Sequence, residues 1–195
     1  MIPYNSSSGQ MLVVCLYSVY NSRLKVTAMP ILDEHMLDFV SHSPAQTHRL
    51  GTRMGLLLRA GDIICLEGEL GTGKTHLAQG IGHGMGIVGP ITSPTFTLIA
   101  EYRPPKPAPT LYHIDMYRLG DAVDEALALG LDDYLGGDGV CVIEWADRIV
   151  PALPPDRIWI SLSHLDLSKR GIVMTASGAR YDDLLREFRR TAFGI

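Results

Sequence analysis

Ile63-Ile64-Cys65-Leu66-Glu67-Gly68-Glu69-Leu70-Gly71-Thr72-Gly73-Lys74-Thr75 is the stretch that decides the fold. Its opening apolar run is that of a strand buried on both faces, as in a parallel sheet. Gly68 to Thr75 then matches GxxxxGK[ST]. A helical stretch follows through about Met85, so the motif has the strand–turn–helix context it requires. Glycines let the backbone curl with its N–H groups pointing inward, and a helix N-terminus adds partial positive charge. Such a cradle takes a polyphosphate. Gly71, Thr72 and Gly73 form it, Lys74 reaches the β- and γ-phosphates, and the Thr75 hydroxyl is placed to ligate Mg²⁺. His76 completes the expected nucleotide contacts.

Magnesium in such a site also needs a carboxylate, supplied from the end of a neighbouring buried strand. Two acids qualify. Glu144 ends Val140-Cys141-Val142-Ile143-Glu144, directly before Trp145, and Asp115 ends Leu111-Tyr112-His113-Ile114-Asp115. The period of a strand puts His113 and Asp115 on one face. Either acid can serve a metal beside Thr75, and Lys74, Asp115 and Glu144 are the candidate catalytic residues. Ser93-Pro94-Thr95-Phe96-Thr97 lies where a γ-phosphate-sensing switch would lie, with Ser93, Thr95 and Phe96 as its candidates. Guanine recognition by an Asn-Lys-x-Asp loop is excluded. The asparagines are Asn5 and Asn21, both ahead of the phosphate turn. ATP is the expected nucleotide.

Outward from the turn, Ser43-Pro44 predicts a helix start, with Ser43 as cap and Leu50, Met54, Leu57 and Leu58 recurring at helical spacing. Arg59 to Asp62 ends it, and Gly82, Gly84, Gly86 and Gly89-Pro90 are expected to close the helix after the turn. Thr95–Tyr102, Leu111–Met116 and Val140–Ile143 read as strands, and Asp121–Leu129 as a helix with Asp121 as cap. Arg157–Leu162 and Ile172–Ala176 can pair as a hairpin across Ser163–Gly171. Tyr181–Phe193 is a final amphipathic helix, with Leu184, Leu185 and Phe188 on its apolar side and Arg186, Arg189 and Arg190 on a solvated one. The alternation predicts an α/β domain: three-layer, P-loop NTPase-like, with a mainly parallel central sheet and a C-terminal strand pair plus helix. Residues 31–195 form that domain. Residues 1–30, with Ser6-Ser7-Ser8-Gly9 and an isolated apolar run, are expected to be a poorly ordered extension.

The 195-residue chain is 46% apolar and 19% charged, ordinary globular composition and ample for one core. Lys+Arg 17 against Asp+Glu 21 gives a net charge of −4, which disfavours direct nucleic-acid binding and DNA above all. Three cysteines without CxxC or zinc spacing exclude a disulfide framework; Cys65 and Cys141 lie in apolar runs and are expected to be buried thiols. Met11–Tyr20 is too short for the ~20 residues of a membrane span and has no basic segment before it. The expected location is the cytoplasm.

Four segments, Gly68-Glu69-Leu70-Gly71-Thr72-Gly73-Lys74-Thr75, Ser93-Pro94-Thr95-Phe96-Thr97-Leu98, Tyr112-His113-Ile114-Asp115-Met116-Tyr117-Arg118-Leu119 and Val142-Ile143-Glu144-Trp145-Ala146-Asp147-Arg148, occur in this order. Together they resemble the TsaE (YjeE) family of small ATPases needed to make threonylcarbamoyladenosine in tRNA. The resemblance runs from about Ser43 to the C-terminus. It implies that Gly71–Thr75 hold ATP and that Thr75 and Glu144 bind Mg²⁺. It further implies that Asp115 positions water or outer metal contacts, and that Ser93, Thr95 and Phe96 form the first switch. By the same resemblance Thr47 lies near the adenine, Arg170 faces the nucleotide, and Trp145 keeps the family's Glu-Trp pair. The implied partners are TsaD-like and TsaB-like proteins, with tRNA reached indirectly and no membrane. The implied activity is an ATPase, slow alone, that regulates that pair. Two other readings of the same residues are a P-loop small-molecule kinase, which would need an arginine-rich lid, and a non-hydrolysing ATP-binding scaffold.

Overall fold

The computed structural model describes residues 33–194, apart from 106 and 121. The expected extension at 1–30, Cys15 and the Asp121 cap lie outside the described residues. The elements in chain order are β1 (Met36–Ser41), α1 (Pro44–Gly55), β2 (Ile63–Glu67), α2 (Lys74–Gly84), β3 (Ile99–Tyr102), β4 (Leu111–Asp115), α3 (Ala122–Ala128), α4 (Leu131–Leu135) and β5 (Val140–Glu144). A 3-10 segment (Ala146–Ala152), β6 (Arg157–His164), β7 (Arg170–Ser177) and α5 (Ala179–Phe193) follow.

The strands form a single seven-stranded sheet in the order β1-β7-β6-β2-β5-β4-β3. Its centre, β6-β2-β5-β4, is parallel. The flanking pairs β1–β7, β6–β7 and β3–β4 are antiparallel. Alternation along each strand sends side chains to two cores. On one face Ile64, Leu66, Val142 and Ile160 pack under Met54 of α1, Leu77 and Ile81 of α2, and Leu184 and Phe188 of α5. On the other, Cys65, Ile114 and Ile143 pack against Ala126, Leu131 and Ile149. This is the expected three-layer arrangement. Cys65 and Cys141 are buried as expected, and burial pushes both thiols up to about 12.

Local signals explain most element ends. The Ser43 side chain accepts from Gln46 N at 3.2 Å, and Pro44 occupies the first helical position where its missing N–H costs nothing. The expected hairpin forms with a tighter turn, because β6 and β7 extend to His164 and Arg170.

The fold departs from these expectations at three places, β1, the start of β3 and Arg189. β1 has no counterpart in the sequence pattern: it is an edge strand held by its pairing with β7 and by Phe39 against Phe193, ring centroids 5.0 Å apart. The strand expected over Thr95–Tyr102 starts only at Ile99, because Thr97 N and Leu98 N both turn back to Pro94 O and Leu98 takes a φ of 65°. The glycine run closes the second helix as expected: α2 ends at Gly84, and Gly86 takes a φ of 90°. Gly80 and Gly84 are also places where α1 comes close, and an added Cβ would lie 2.1 Å from His48 O and Thr52 O respectively. Arg189 is not on a solvated face: its guanidinium donates to the backbone carbonyls of Asp33 and Met36, tying α5 to the start of β1.

Candidate functional site

The phosphate turn hangs between the C-terminal end of β2 and the N-terminus of α2. Gly68 lies so close to β6 that a Cβ would fall 2.3 Å from Leu162 O, and Gly73, which begins α2, has a φ of 101°. No side chain larger than hydrogen suits either place. Lys74 curls back over the loop. Its Nζ donates to Gly68 O at 2.6 Å and Glu69 O at 3.0 Å, and lies 3.8 Å from the centre of a Trp145 ring. Burial pulls its ammonium below the ordinary lysine value, and Glu144, Asp115 and Asp147 pull it partly back.

Parallel register sets the two acids side by side at the ends of adjacent strands, Asp115 of β4 against Glu144 of β5. Both face α2 and both are buried. Glu144 accepts from Thr75 Oγ1 at 3.0 Å through one oxygen, while its other oxygen lies 2.8 Å from His113 Nε2. Asp115 is used differently. One oxygen accepts from both Ser93 Oγ, at 2.7 Å, and Thr95 Oγ1, at 2.6 Å; the other accepts from Tyr117 N at 3.0 Å. Asp115 is thus the anchor of the Ser93–Thr95 segment, and Glu144 is the acid beside Thr75. Sequence alone left that division open.

These groups surround a cavity of about 420 Å³. Gly71, Gly73, Lys74, Thr75, His76, Ser93, Thr95, Asp115 and Glu144 all line it, with Leu70, Gln79, Tyr117 and Trp145. A second hollow of about 110 Å³ opens on the other side of the loop. There Thr47 of α1 and Arg170 of β7, far apart in sequence, meet beside Gly71–Gly73 and His76. Arg170 donates through Nε to Thr72 O at 3.1 Å, which fastens β7 to the phosphate turn. Thr47 is buried, and its hydroxyl pairs with Ser41 Oγ at 2.8 Å. Phe96 lines neither hollow: it stands 84% exposed with the Arg118 guanidinium 4.1 Å above its ring. Among the described residues lining the larger cavity there is no arginine, and residues 157–177 form strands rather than a lid helix.

Sequence reasoning missed the Tyr117–Trp145 pair beside Lys74, ring centroids 4.9 Å apart, and the His113–Glu144 contact. The period of β4 already set His113 on the face of Asp115. Its partner depended on which strand lies next door.

A buried strand, a phosphate-loop turn and a helix N-terminus, with acids at the tips of two neighbouring parallel strands, define a protein of the P-loop NTPase-like fold. A family model described as threonylcarbamoyl adenosine biosynthesis protein TsaE matches residues 41–172, and the chain belongs to that family. It is 39% identical over 148 residues to the Bacillus subtilis tRNA threonylcarbamoyladenosine biosynthesis protein TsaE, covering 76% of this chain and 90% of that one. The Treponema pallidum protein of the same name is 42% identical over 135 residues, 69% of this chain and 97% of that one. Among solved structures, Bacillus subtilis YdiB superposes with a TM-score of 0.69 at 33% identity, covering 85% of this chain and 99% of that one.

Proposed function

We propose that this protein binds ATP with Mg²⁺ and hydrolyses it slowly. In doing so it serves formation of the threonylcarbamoyl group on tRNA adenosine as the regulator of a TsaB–TsaD-like pair. The family supports the pathway. The observation that carries the chemistry is the 3.0 Å approach of Thr75 Oγ1 to Glu144 Oε2 at the foot of the phosphate turn. Adjacent oxygens around a magnesium ion with bonds of about 2.1 Å lie about 3 Å apart, so this pair fits two neighbouring corners of its octahedron. Among the described residues, no cluster of three or more His, Cys, Asp or Glu side chains is built to hold a metal alone. That suits a cation that takes its remaining ligands from phosphate and water.

In this reading the N–H groups of Gly71 to Lys74 bind phosphate oxygens, and Lys74 leaves the Gly68 and Glu69 carbonyls for the β- and γ-phosphates. Thr75 and Glu144 hold the magnesium, which when bound neutralises charge developing on the transferred group. Asp115 keeps Ser93 and Thr95 at the cavity wall, where a γ-phosphate would meet them. Thr47, His76 and Arg170 line the hollow for the nucleoside end. Among the described residues no arginine lines the larger cavity. In this reading the charge stabilisation that such a group supplies comes from a partner, and turnover alone is expected to be slow.

Calorimetry with magnesium and ATP, followed by phosphate release with and without TsaB-like and TsaD-like proteins, tests the reading. Expected are saturable binding heat and a faster release with the partners. Binding without release under any of these conditions would leave a nucleotide-binding scaffold, and no binding heat would end the proposal.

A further inference from the structure

His113 is fully buried in β4, and Glu144 beside it is 3% exposed. One imidazole nitrogen, Nε2, lies 2.8 Å from Glu144 Oε1; the other, Nδ1, is buried with no hydrogen-bond partner. A carboxylate offers only lone pairs, so Nε2 carries a proton and donates it. The ring therefore has one directional interaction, and that interaction is with the acid facing Thr75. A histidine kept only to fill the core would leave a polar atom stranded for nothing, at a cost an apolar residue of similar size avoids. The stranded Nδ1 is tolerated because Nε2 acts on Glu144.

We propose that His113 is a positioning residue. By occupying Oε1 it fixes the plane of the Glu144 carboxylate and leaves Oε2 as the oxygen presented to Thr75 and to a divalent cation. This deepens the reading of Thr75 and Glu144 as the metal pair and rests on it. His113 does not itself line the cavity, and the lining residue it contacts by hydrogen bond is Glu144, so its effect passes through that carboxylate. Outer groups that orient a metal ligand typically change metal affinity by about 10–100-fold when removed.

The probe is Mn²⁺ titrated into the protein bearing a non-hydrolysable ATP analogue, read by electron paramagnetic resonance, with affinity for the analogue in EDTA measured separately. Gln places an amide nitrogen near the position of Nε2, whereas Asn does not reach it. H113Q is expected to bind Mn²⁺ within about threefold of the native chain, and H113N and H113L about tenfold or more weakly. Analogue affinity in EDTA is expected to be unchanged in all three. Comparing H113Q with H113N keeps the test usable if H113L does not fold. Native Mn²⁺ affinity in H113N, or equal weakening in H113Q and H113N, overturns the proposal. Loss of analogue affinity in EDTA also overturns it, by showing a packing role. If the native chain itself takes no Mn²⁺ with the analogue, the metal-site reading falls first, an outcome recognisably different from the others.

Discussion

Lys74 is a cation held by two backbone carbonyls and an aromatic face. None of these compensates a full charge, so burial wins and the ammonium titrates below its ordinary 10.5. Between the depressed value and 10.5 the unfolded chain binds more protons than the folded one. This group's contribution to stability therefore rises with pH across that window. Phosphates beside Lys74 reverse the balance, and ATP binding in the same window is expected to take up a proton. Calorimetry in two buffers of different ionisation heat detects this as a buffer-dependent enthalpy, absent in Lys74→Ala; no buffer dependence in the native chain contradicts it. Lys74→Ala is further expected to abolish ATP hydrolysis. Glu144→Ala, which removes the acid from Thr75, is expected to lower it by about 10²-fold. Phosphate release measured with partners present checks both, and full activity in either variant refutes the assignment.

At the scale of elements, the site depends on how closely α1 and α2 approach. Gly51 and Gly55 on α1 meet Gly80 and Gly84 on α2, and a Cβ at any of the four would sit 2.1–2.4 Å from a carbonyl oxygen of the opposite helix. Backbone cannot move aside as a side-chain tip can. Gly80→Ala is expected to cost about 2 kcal/mol net of alanine's better helix propensity. That corresponds to roughly 4–8 °C in melting temperature. It also shifts Thr47, adjacent to the clashing His48, and nucleotide affinity is expected to fall with it. Gly82→Ala meets the Ile91 Cδ1 methyl instead, an atom at the end of a flexible chain, and is expected to cost less. Thermal melts of the two variants side by side check the order, and Gly82→Ala being the more damaging would refute it.

Across the whole molecule, the last helix locks the sheet to the loop leading into β2. Arg180, near the start of α5, grips the buried Asp62 carboxylate through two nitrogens at 2.9 and 2.6 Å, and also donates to Leu57 O at 3.0 Å. Next to it Tyr181 OH accepts from Ile63 N at 2.7 Å. Arg180→Ala removes the counter-charge of the buried Asp62 carboxylate and leaves it the Arg59 N–H at 2.7 Å. The expected loss is about 3 kcal/mol. Replacing Asp62 and Arg180 together is expected to cost less than Arg180→Ala plus Asp62→Ala taken separately. Denaturant melts of the double-mutant cycle test this, and simple additivity would argue against a coupled clamp. Among the described residues no helix is long and apolar enough to cross a membrane.

What could be read from sequence is what local chemistry dictates. The apolar run Ile63–Leu66, the glycine spacing through Lys74-Thr75, the Ser43-Pro44 helix start and the acids closing two apolar strands need no knowledge of neighbours. Each is a property of a few consecutive residues. Tertiary structure decided the rest. Strand order brought Glu144 to Thr75 and His113, and gave Asp115 to Ser93 and Thr95. Edge pairing made a strand of Met36–Ser41 and took Arg189 from solvent. The α1–α2 approach made contact points of Gly51, Gly55, Gly80 and Gly84. The reason is common to all of these: a partner across a sheet or a helix crossing is chosen by the geometry of the whole packed chain, and short-range spacing carries no record of it.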